Sequence, residues 1–257
     1  MQSMIKGSDF IVRNWGASAP GLSSVDDWKN WYATQRISPD SKPPLLPNSI
    51  SKMLQRRLSL LARLVFHAAG QCLDDGEIMP VVFSSAHGEI CKSLEMLKAI
   101  QAGEGLSPTA FSLSVHNAIA GLFSIAYSNS REMTVIAPGL EGIAPAFIEA
   151  LGLLYENGLH EKGLRENNEV LLVFYDEPIA DFYPVAPFNL NAPFPCALAL
   201  KVSLAGDGLP VRLSRSSESR DDGEHPVQLL AFLRFLLGDE QSLTLGNQGR
   251  GWRWGKI

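Results

Sequence analysis

Residues Met133–Asn157 read MTVIAPGLEGIAPAFIEALGLLYEN. The pattern predicts a short buried strand over Met133–Ala137, then a Pro-Gly turn, then an apolar helix over Ile143–Glu156. A turn of this kind can present a nucleophile at a helix N-terminus, where backbone N–H groups and the helix dipole stabilise a thiolate. The turn itself, Pro138–Gly142, contains no Cys, Ser or Thr. The stretch therefore predicts the frame of an active site without the residue that would react.

Further strands and helices alternate along the chain on both sides of this stretch. Strands are predicted at Phe10–Arg13, Pro80–Ser85, Glu169–Tyr175 and Cys196–Val202, and helices at Val25–Gln35, Ser49–Leu73, Glu89–Ala102 and Val227–Leu237. This alternation predicts a layered α/β fold with a mostly parallel sheet. The pattern does not place the strand at 196–202, and an antiparallel position at an edge or in the centre of the sheet is also open. Residues 206–226 are polar and are predicted to form an exposed loop.

Composition limits the possible partners and compartments. The chain has 257 residues, 46% hydrophobic and 19% charged, with a net charge of −5. That charge gives no electrostatic case for nucleic acid or an anionic membrane as the main partner. Three widely spaced cysteines without a CxxC motif fit a reducing compartment, and no apolar run is long enough to span a bilayer. We expect a cytoplasmic protein with no membrane span.

Several motifs resemble one known family. These are FIVRNWGASAPG at Phe10–Gly21, LQRRLSLLAR at Leu54–Arg63, VVFSSAHGE at Val81–Glu89 and SPTAFSLSVHNAIAGLFSI at Ser107–Ile125, together with the turn at Pro138–Gly142. They resemble β-ketoacyl synthases of the thiolase fold over about residues 8–202, mainly the N-terminal half of a synthase. The resemblance is closest to short relatives encoded with aryl-polyene and related pathways. It implies a layered α/β/α fold in a single domain, residues 1–257, with the core at about 8–204 and with a polar loop, a helix and a Trp-containing tail at 205–257.

The resemblance also implies that catalytic residues are missing. In a working synthase the turn carries a cysteine, which aligns with about Leu140, or with Gly139 or Glu141 after a one-residue slip. The synthase's HGTGT-type segment and its second active-site histidine have no counterpart, since His225 is the only histidine after position 160. We therefore expect a catalytically silent subunit, a chain-length factor, that forms a heterodimer with a complete ketosynthase. The complex would elongate acyl chains on acyl carrier protein in aryl-polyene, polyketide or fatty-acid-type biosynthesis.

A second group of residues is assigned to the partner interface by the same resemblance. The segment Phe111–Asn117, expected to be a strand, corresponds to synthase residues at the subunit interface near the neighbour's acyl pocket. The implied contact residues are Phe111, Ser112, Ser114, His116 and Asn117. For His116 the alternative is a core histidine that holds the loop before the next helix.

Two other functions remain open at this stage. One is a stand-alone acyl hydrolase or transferase. It would use Glu141, or it would use Cys91 as a nucleophile with His87, four residues earlier, as its base. The other is a homodimeric acyl-binding module. The sequence contains no GxGxxG, GxxxxGK[ST], HExxH or zinc-ligand pattern, so we expect no cofactor and no metal.

Overall fold

The computed structural model describes residues 7–35, 43–47, 50–105, 107–139, 141–160 (backbone alone for 157–160), 168–179, 192–217, 228–246 and 251–257. The strands are β1 (Ser8–Ser18), β2 (Val81–Ser84), β3 (Met133–Ile136), β4 (Glu169–Asp176), β5 (Cys196–Ser203), β6 (Leu209–Ser216), β7 (Ser242–Leu245) and β8 (Gly251–Lys256). The helices are α1 (Val25–Thr34), α2 (Lys52–Gln55), α3 (Leu60–Gly70), α4 (Ile90–Gln101), α5 (Pro108–Ser112), α6 (Ala118–Tyr127), α7 (Ala144–His160) and α8 (Gln228–Leu237).

Within the described residues the strands form one sheet of eight, in the order β3-β2-β4-β5-β1-β6-β8-β7. β2 pairs in parallel with β3 and with β4, and every other pairing is antiparallel. The prediction of a mostly parallel sheet is therefore wrong. The three parallel strands follow one another along the chain through crossover helices. α4–α6 connect β2 to β3, and α7 connects β3 to β4, which lies on the other side of β2.

Helices cover both faces of the sheet, and β4 shows how the core divides. Leu171, Val173 and Tyr175 point to one face, where they pack with α3 and α6. The alternate residues of β4 point to the other face, where α1, α7 and α8 complete the second cluster. All of β4 from Val170 to Tyr175 is at most 1% exposed, as expected for a central strand. The arrangement confirms the layered α/β/α fold.

The helix predicted over Ser49–Leu73 is two helices, α2 and α3. Ser59 interrupts it, because its hydroxyl accepts a hydrogen bond from the Ala62 backbone N–H and starts α3 as an N-cap. Leu58, just before this cap, is 7% exposed and belongs to the core. The periodic spacing of apolar residues thus continues across the break between the two helices.

The strand expected over Phe111–Asn117 is also wrong. Pro108 lies in the first turn of α5, and Ser107 caps that helix by accepting from the Ala110 N–H. The short helix ends at Ser112, and turns lead from there into α6.

The C-terminal part of the chain differs most from the prediction. Residues 209–216, predicted as exposed loop, form β6, whose Val211 and Leu213 are buried in the core. Trp254 of β8 is 0% exposed and lies against Phe147 of α7 with ring centroids 5.5 Å apart. The hydrophobic core therefore extends well past position 204. The rest of the predicted loop, residues 218–226, lies outside the described residues.

Candidate functional site

The predicted turn lies at the carboxyl edge of the parallel strands. β3 ends at Ile136, and α7 begins at Ala144. The Ser85 backbone N–H donates to the Ile136 carbonyl oxygen at 3.2 Å, so the loop after β2 adjoins the segment after β3. We call residues 137–143 the elbow. Ligands of α/β proteins commonly bind at this edge of a sheet.

Neither described candidate for the nucleophile position carries a thiol or a hydroxyl group. Gly139 is exposed, and a Cβ atom added to it would meet nothing within 4 Å. Leu140, the position to which the synthase cysteine aligns, lies outside the described residues. Glu141 is half-buried in the turn before α7. The described elbow residues therefore offer no thiol or hydroxyl at the start of α7.

The carboxylate of Glu141 is held by two side chains from the far end of the sequence. The Trp252 indole Nε1 donates to its Oε2 at 3.0 Å, and Arg215 Nη2 donates to its Oε1 at 3.5 Å. The Arg215 guanidinium lies 4.1 Å from the Trp252 ring centroid, which adds a cation–π contact. Both carboxylate oxygens thus have donors. This arrangement fits a structural ion pair better than a general base.

The N-terminus of α7 is closed by Gln228, the first residue of α8. Its Oε1 accepts a hydrogen bond from the Ile143 backbone N–H at 3.0 Å. A free N–H at this position would be available to stabilise a thiolate or an oxyanion. No local sequence pattern marks Gln228 as a site residue, because 85 residues separate it from Ile143.

Gly142 makes this closure possible. Its φ of 58° lies in the left-handed region, and a Cβ atom built on it would fall 1.8 Å from Gln228 Oε1. We expect Gly142→Ala to lower the free energy of unfolding by about 1–3 kcal/mol, because it combines backbone strain with a collision. Urea denaturation measures this change. Gly139→Ala is the matched control and should stay within about 0.5 kcal/mol of the parent; equal effects of the two substitutions would contradict the assignment.

Cys91 does not have the properties of an activated thiol. It is half-buried in α4, where its Sγ lies 3.7 Å from the Pro178 carbonyl oxygen. Burial, reinforced by the negative charge of Glu177, raises the pKa of Cys91 to about 12. The thiol therefore stays protonated near neutral pH, which argues against a Cys91/His87 nucleophile pair. The His87 backbone N–H donates to Asp176 at 3.3 Å.

The half-buried carboxyl group of Asp176 fixes the loop after β2. Oδ1 of Asp176 accepts from the Ser85 hydroxyl at 2.9 Å and from the Ala86 and His87 backbone N–H groups at 2.9 and 3.3 Å. Burial raises the pKa of Asp176 to about 7, against the opposing effect of these donors. Burial also raises the pKa of Glu89, which is 2% exposed and accepts from the Ser59 hydroxyl at 2.6 Å. Neither Asp176 nor Glu89 is among the site residues that the sequence predicts.

The five predicted interface residues are not equally exposed. Phe111, Ser112 and Asn117 lie at the surface, with Phe111 57% exposed. Ser114 is buried, and its hydroxyl donates to the Phe111 carbonyl oxygen at 2.9 Å. His116 is partly buried, with Nε2 2.9 Å from the Ser85 carbonyl oxygen. His116 therefore ties the segment before α6 to the loop after β2, which lies beside the elbow.

The described part of the chain lacks two other kinds of feature. No group of three or more His, Cys, Asp or Glu residues there could hold a metal ion. None of the described helices is both long and apolar enough to cross a bilayer.

Comparison with known proteins identifies related sequences and structures. A family model described as β-ketoacyl synthase, N-terminal domain, matches residues 28–255. A structure of the ketosynthase ApeO in complex with its chain length factor ApeC, from Xenorhabdus doucetiae, contains a chain 28% identical to this one. The TM-score is 0.75, and the match covers 98% of this chain and 99% of that chain. A β-ketoacyl synthase from Burkholderia phymatum STM815 has 12% identity and a TM-score of 0.50, over 78% of this chain and 60% of that chain, a likeness in fold alone. No curated protein matched the sequence.

Proposed function

Because this chain belongs to the β-ketoacyl synthase family, we propose that it is a catalytically silent subunit that pairs with a complete ketosynthase as its chain-length factor. One observation carries the proposal. The chain matches nearly the full length of a chain in a ketosynthase–chain length factor complex, with a TM-score of 0.75. By contrast, it covers only 60% of a β-ketoacyl synthase chain.

The elbow supports catalytic silence. Decarboxylative condensation needs a thiolate to accept the acyl chain, and Gly139 and Glu141 cannot supply one. Leu140 has no thiol or hydroxyl either. The N–H of Ile143 is used by Gln228, and Glu141 is engaged by Trp252 and Arg215. The elements that would activate a nucleophile serve here to hold the C-terminal strands and α8 against α7.

Two exposed features, the edge of β3 and an apolar surface on α4 and α5, support pairing with another chain. Among the described residues, β3 is an edge strand paired with β2 alone, and all four of its residues are half-buried. An unpaired strand edge can accept a strand from another chain. α4 has no buried residue, although Leu97 and Ile100 lie on one of its faces and are 53% and 48% exposed. With Phe111 and Val115 they form what we call the α4–α5 apolar surface, of the kind that marks protein interfaces.

The same interface would let this chain shape the product. A residue beside the partner's acyl tunnel limits chain growth by occupying space, since each buried methylene contributes about 0.8 kcal/mol only where room exists for it. His116 and Asn117 are the proposed residues at that position, and acyl carrier protein would bind through the complex. The pathway we favour is aryl-polyene biosynthesis, with polyketide and fatty-acid-type routes as alternatives, and the location is cytoplasmic.

Co-expression tests the pairing. The tagged chain is produced with a complete ketosynthase from the same organism, and the mass of the purified species is measured by size-exclusion chromatography with light scattering. We expect a stable one-to-one complex, because a partner chain would bury the β3 edge and the α4–α5 apolar surface. A stable homodimer of this chain that does not bind the synthase would contradict the proposal and favour an acyl-binding module instead.

A further inference from the structure

A groove of about 460 Å³ runs along the outer face of α7. Ile148, Leu151, Gly152 and Tyr155 line one side of it, and the ends of β1 and β6 line the other. Ile148 and Tyr155 are 43% and 49% exposed, so both side chains leave apolar surface open to solvent along α7. Their separation along α7 corresponds to about 10 Å.

Gly152 leaves the middle of the groove open. A Cβ atom added there would meet nothing within 4 Å, so the helix backbone itself forms the floor. A glycine inside a helix costs about 1 kcal/mol relative to alanine, and no close contact of Gly152 compensates for this. Open volume above the glycine is consistent with a ligand that lies across this turn of α7.

One end of the groove carries a positive charge on an aromatic surface. Arg215 and Trp252 are direct cross-strand neighbours on β6 and β8, and both line the groove. The Arg215 side chain is 41% exposed. Within the described residues its one acidic partner is Glu141, at 3.5 Å, a long contact for a guanidinium with five donors. The guanidinium thus retains donors that can face the groove.

We propose that this groove binds a fatty acid anion. Its acyl chain would lie along Ile148, Leu151 and Gly152, and its carboxylate would pair with Arg215. The volume lies in the range of small-molecule sites, and an apolar wall with one charged end suits a ligand of the same polarity. Trp252 and Glu141 are positioning residues, because they fix the plane of the guanidinium. The site is separate from the α4–α5 apolar surface, so it stands whether or not the chain pairs with a synthase.

Calorimetric titration of the full chain with decanoate tests the site. We expect saturable one-to-one binding, weaker by at least tenfold for decanol, which has no charge to pair with Arg215. Octanoate should bind about tenfold more weakly than decanoate, because two buried methylenes are lost. Arg215→Gln should weaken decanoate binding about tenfold and leave decanol binding unchanged. Equal affinity for decanoate and decanol, or no saturable binding, would overturn the proposal.

A matched pair of glycine variants separates groove filling from folding. Gly152→Met places a side chain over the floor and should abolish decanoate binding, while the gain in helix propensity maintains or raises the melting temperature. Gly121→Met makes the same change on α6, where a Cβ atom also meets nothing within 4 Å, and should bind decanoate like the parent. If Gly152→Met folds and still binds decanoate with parental affinity, the groove is not the site.

Discussion

Replacing Phe111 with Asp should abolish the proposed complex between this chain and a ketosynthase. Phe111 is 57% exposed on α5 and belongs to the α4–α5 apolar surface. An aromatic anchor in an interface core contributes strongly to affinity, and a carboxylate in its place would be buried without a partner. We expect the dissociation constant to rise more than 100-fold, a loss of about 3 kcal/mol or more. Light scattering of the co-expressed proteins measures it.

The control for this substitution is Ile257→Asp. Ile257 is 63% exposed, much like Phe111, but it follows β8 at the opposite end of the sheet from β3. It should leave the complex intact, because nothing in the proposed interface lies near it. Equal loss of complex in both variants would indicate general destabilisation, and an intact complex with Phe111→Asp would remove α5 from the interface.

Replacing Asp176 with Asn should change how stability depends on pH. The pKa of Asp176 is about 7 in the folded chain and 3.8 without its environment. Its pKa is therefore raised by folding, so its contribution to stability is fully present below about pH 4 and is lost as the pH rises through 7. The slope is about 1.4 kcal/mol per pH unit, or about 4 kcal/mol across this window.

The amide of the variant cannot ionise, yet its oxygen can accept the hydrogen bonds from Ser85, Ala86 and His87. We expect Asp176→Asn to be more stable than the parent above pH 7 and to have a flatter profile between pH 4 and 7. Urea denaturation at a series of pH values measures the difference between the two proteins. Glu89 and Glu177 also have pKa values raised by burial, but both proteins contain them. Asp207→Asn, on an exposed loop, should leave the parental profile, and a parental slope in Asp176→Asn would refute the assignment.

The elements that the sequence predicts well are those whose pattern is local. β2 and β4 are continuous apolar runs between polar turns, and both occur within one residue of their predicted bounds. The elbow and α7 follow from a strand, a Pro-Gly turn and a periodic helix in direct succession. Each of these signals lies within one short window of sequence, so tertiary contacts are not needed to interpret it.

The elements that were missed depend on contacts between distant residues. The charged side chains of β6 predict a loop when its sequence is considered alone. In the fold, β1 and β8 pair with β6 on either side, and its residues alternate between buried and polar positions. Ser59 reads as one polar residue in a helical pattern and is in fact an N-cap. The hydrogen bond from Trp252 to Glu141 joins residues 111 positions apart, and no local sequence pattern predicts it. The sequence predicts that the elbow lacks a nucleophilic cysteine, but it does not predict the hydrogen bond from the Ile143 N–H to Gln228.

Elongation of a carrier-bound acyl primer by the reconstituted complex is the most direct test of catalytic silence. Three preparations are compared: this chain alone, the complex with its ketosynthase, and the complex in which the ketosynthase's nucleophilic cysteine has been replaced by Ala. We expect elongation by the intact complex alone, because the elbow offers no residue that could accept the acyl chain. Turnover by this chain alone, or by the complex with the cysteine-free synthase, would contradict the account and would make Glu141→Gln and Cys91→Ser the next variants to measure.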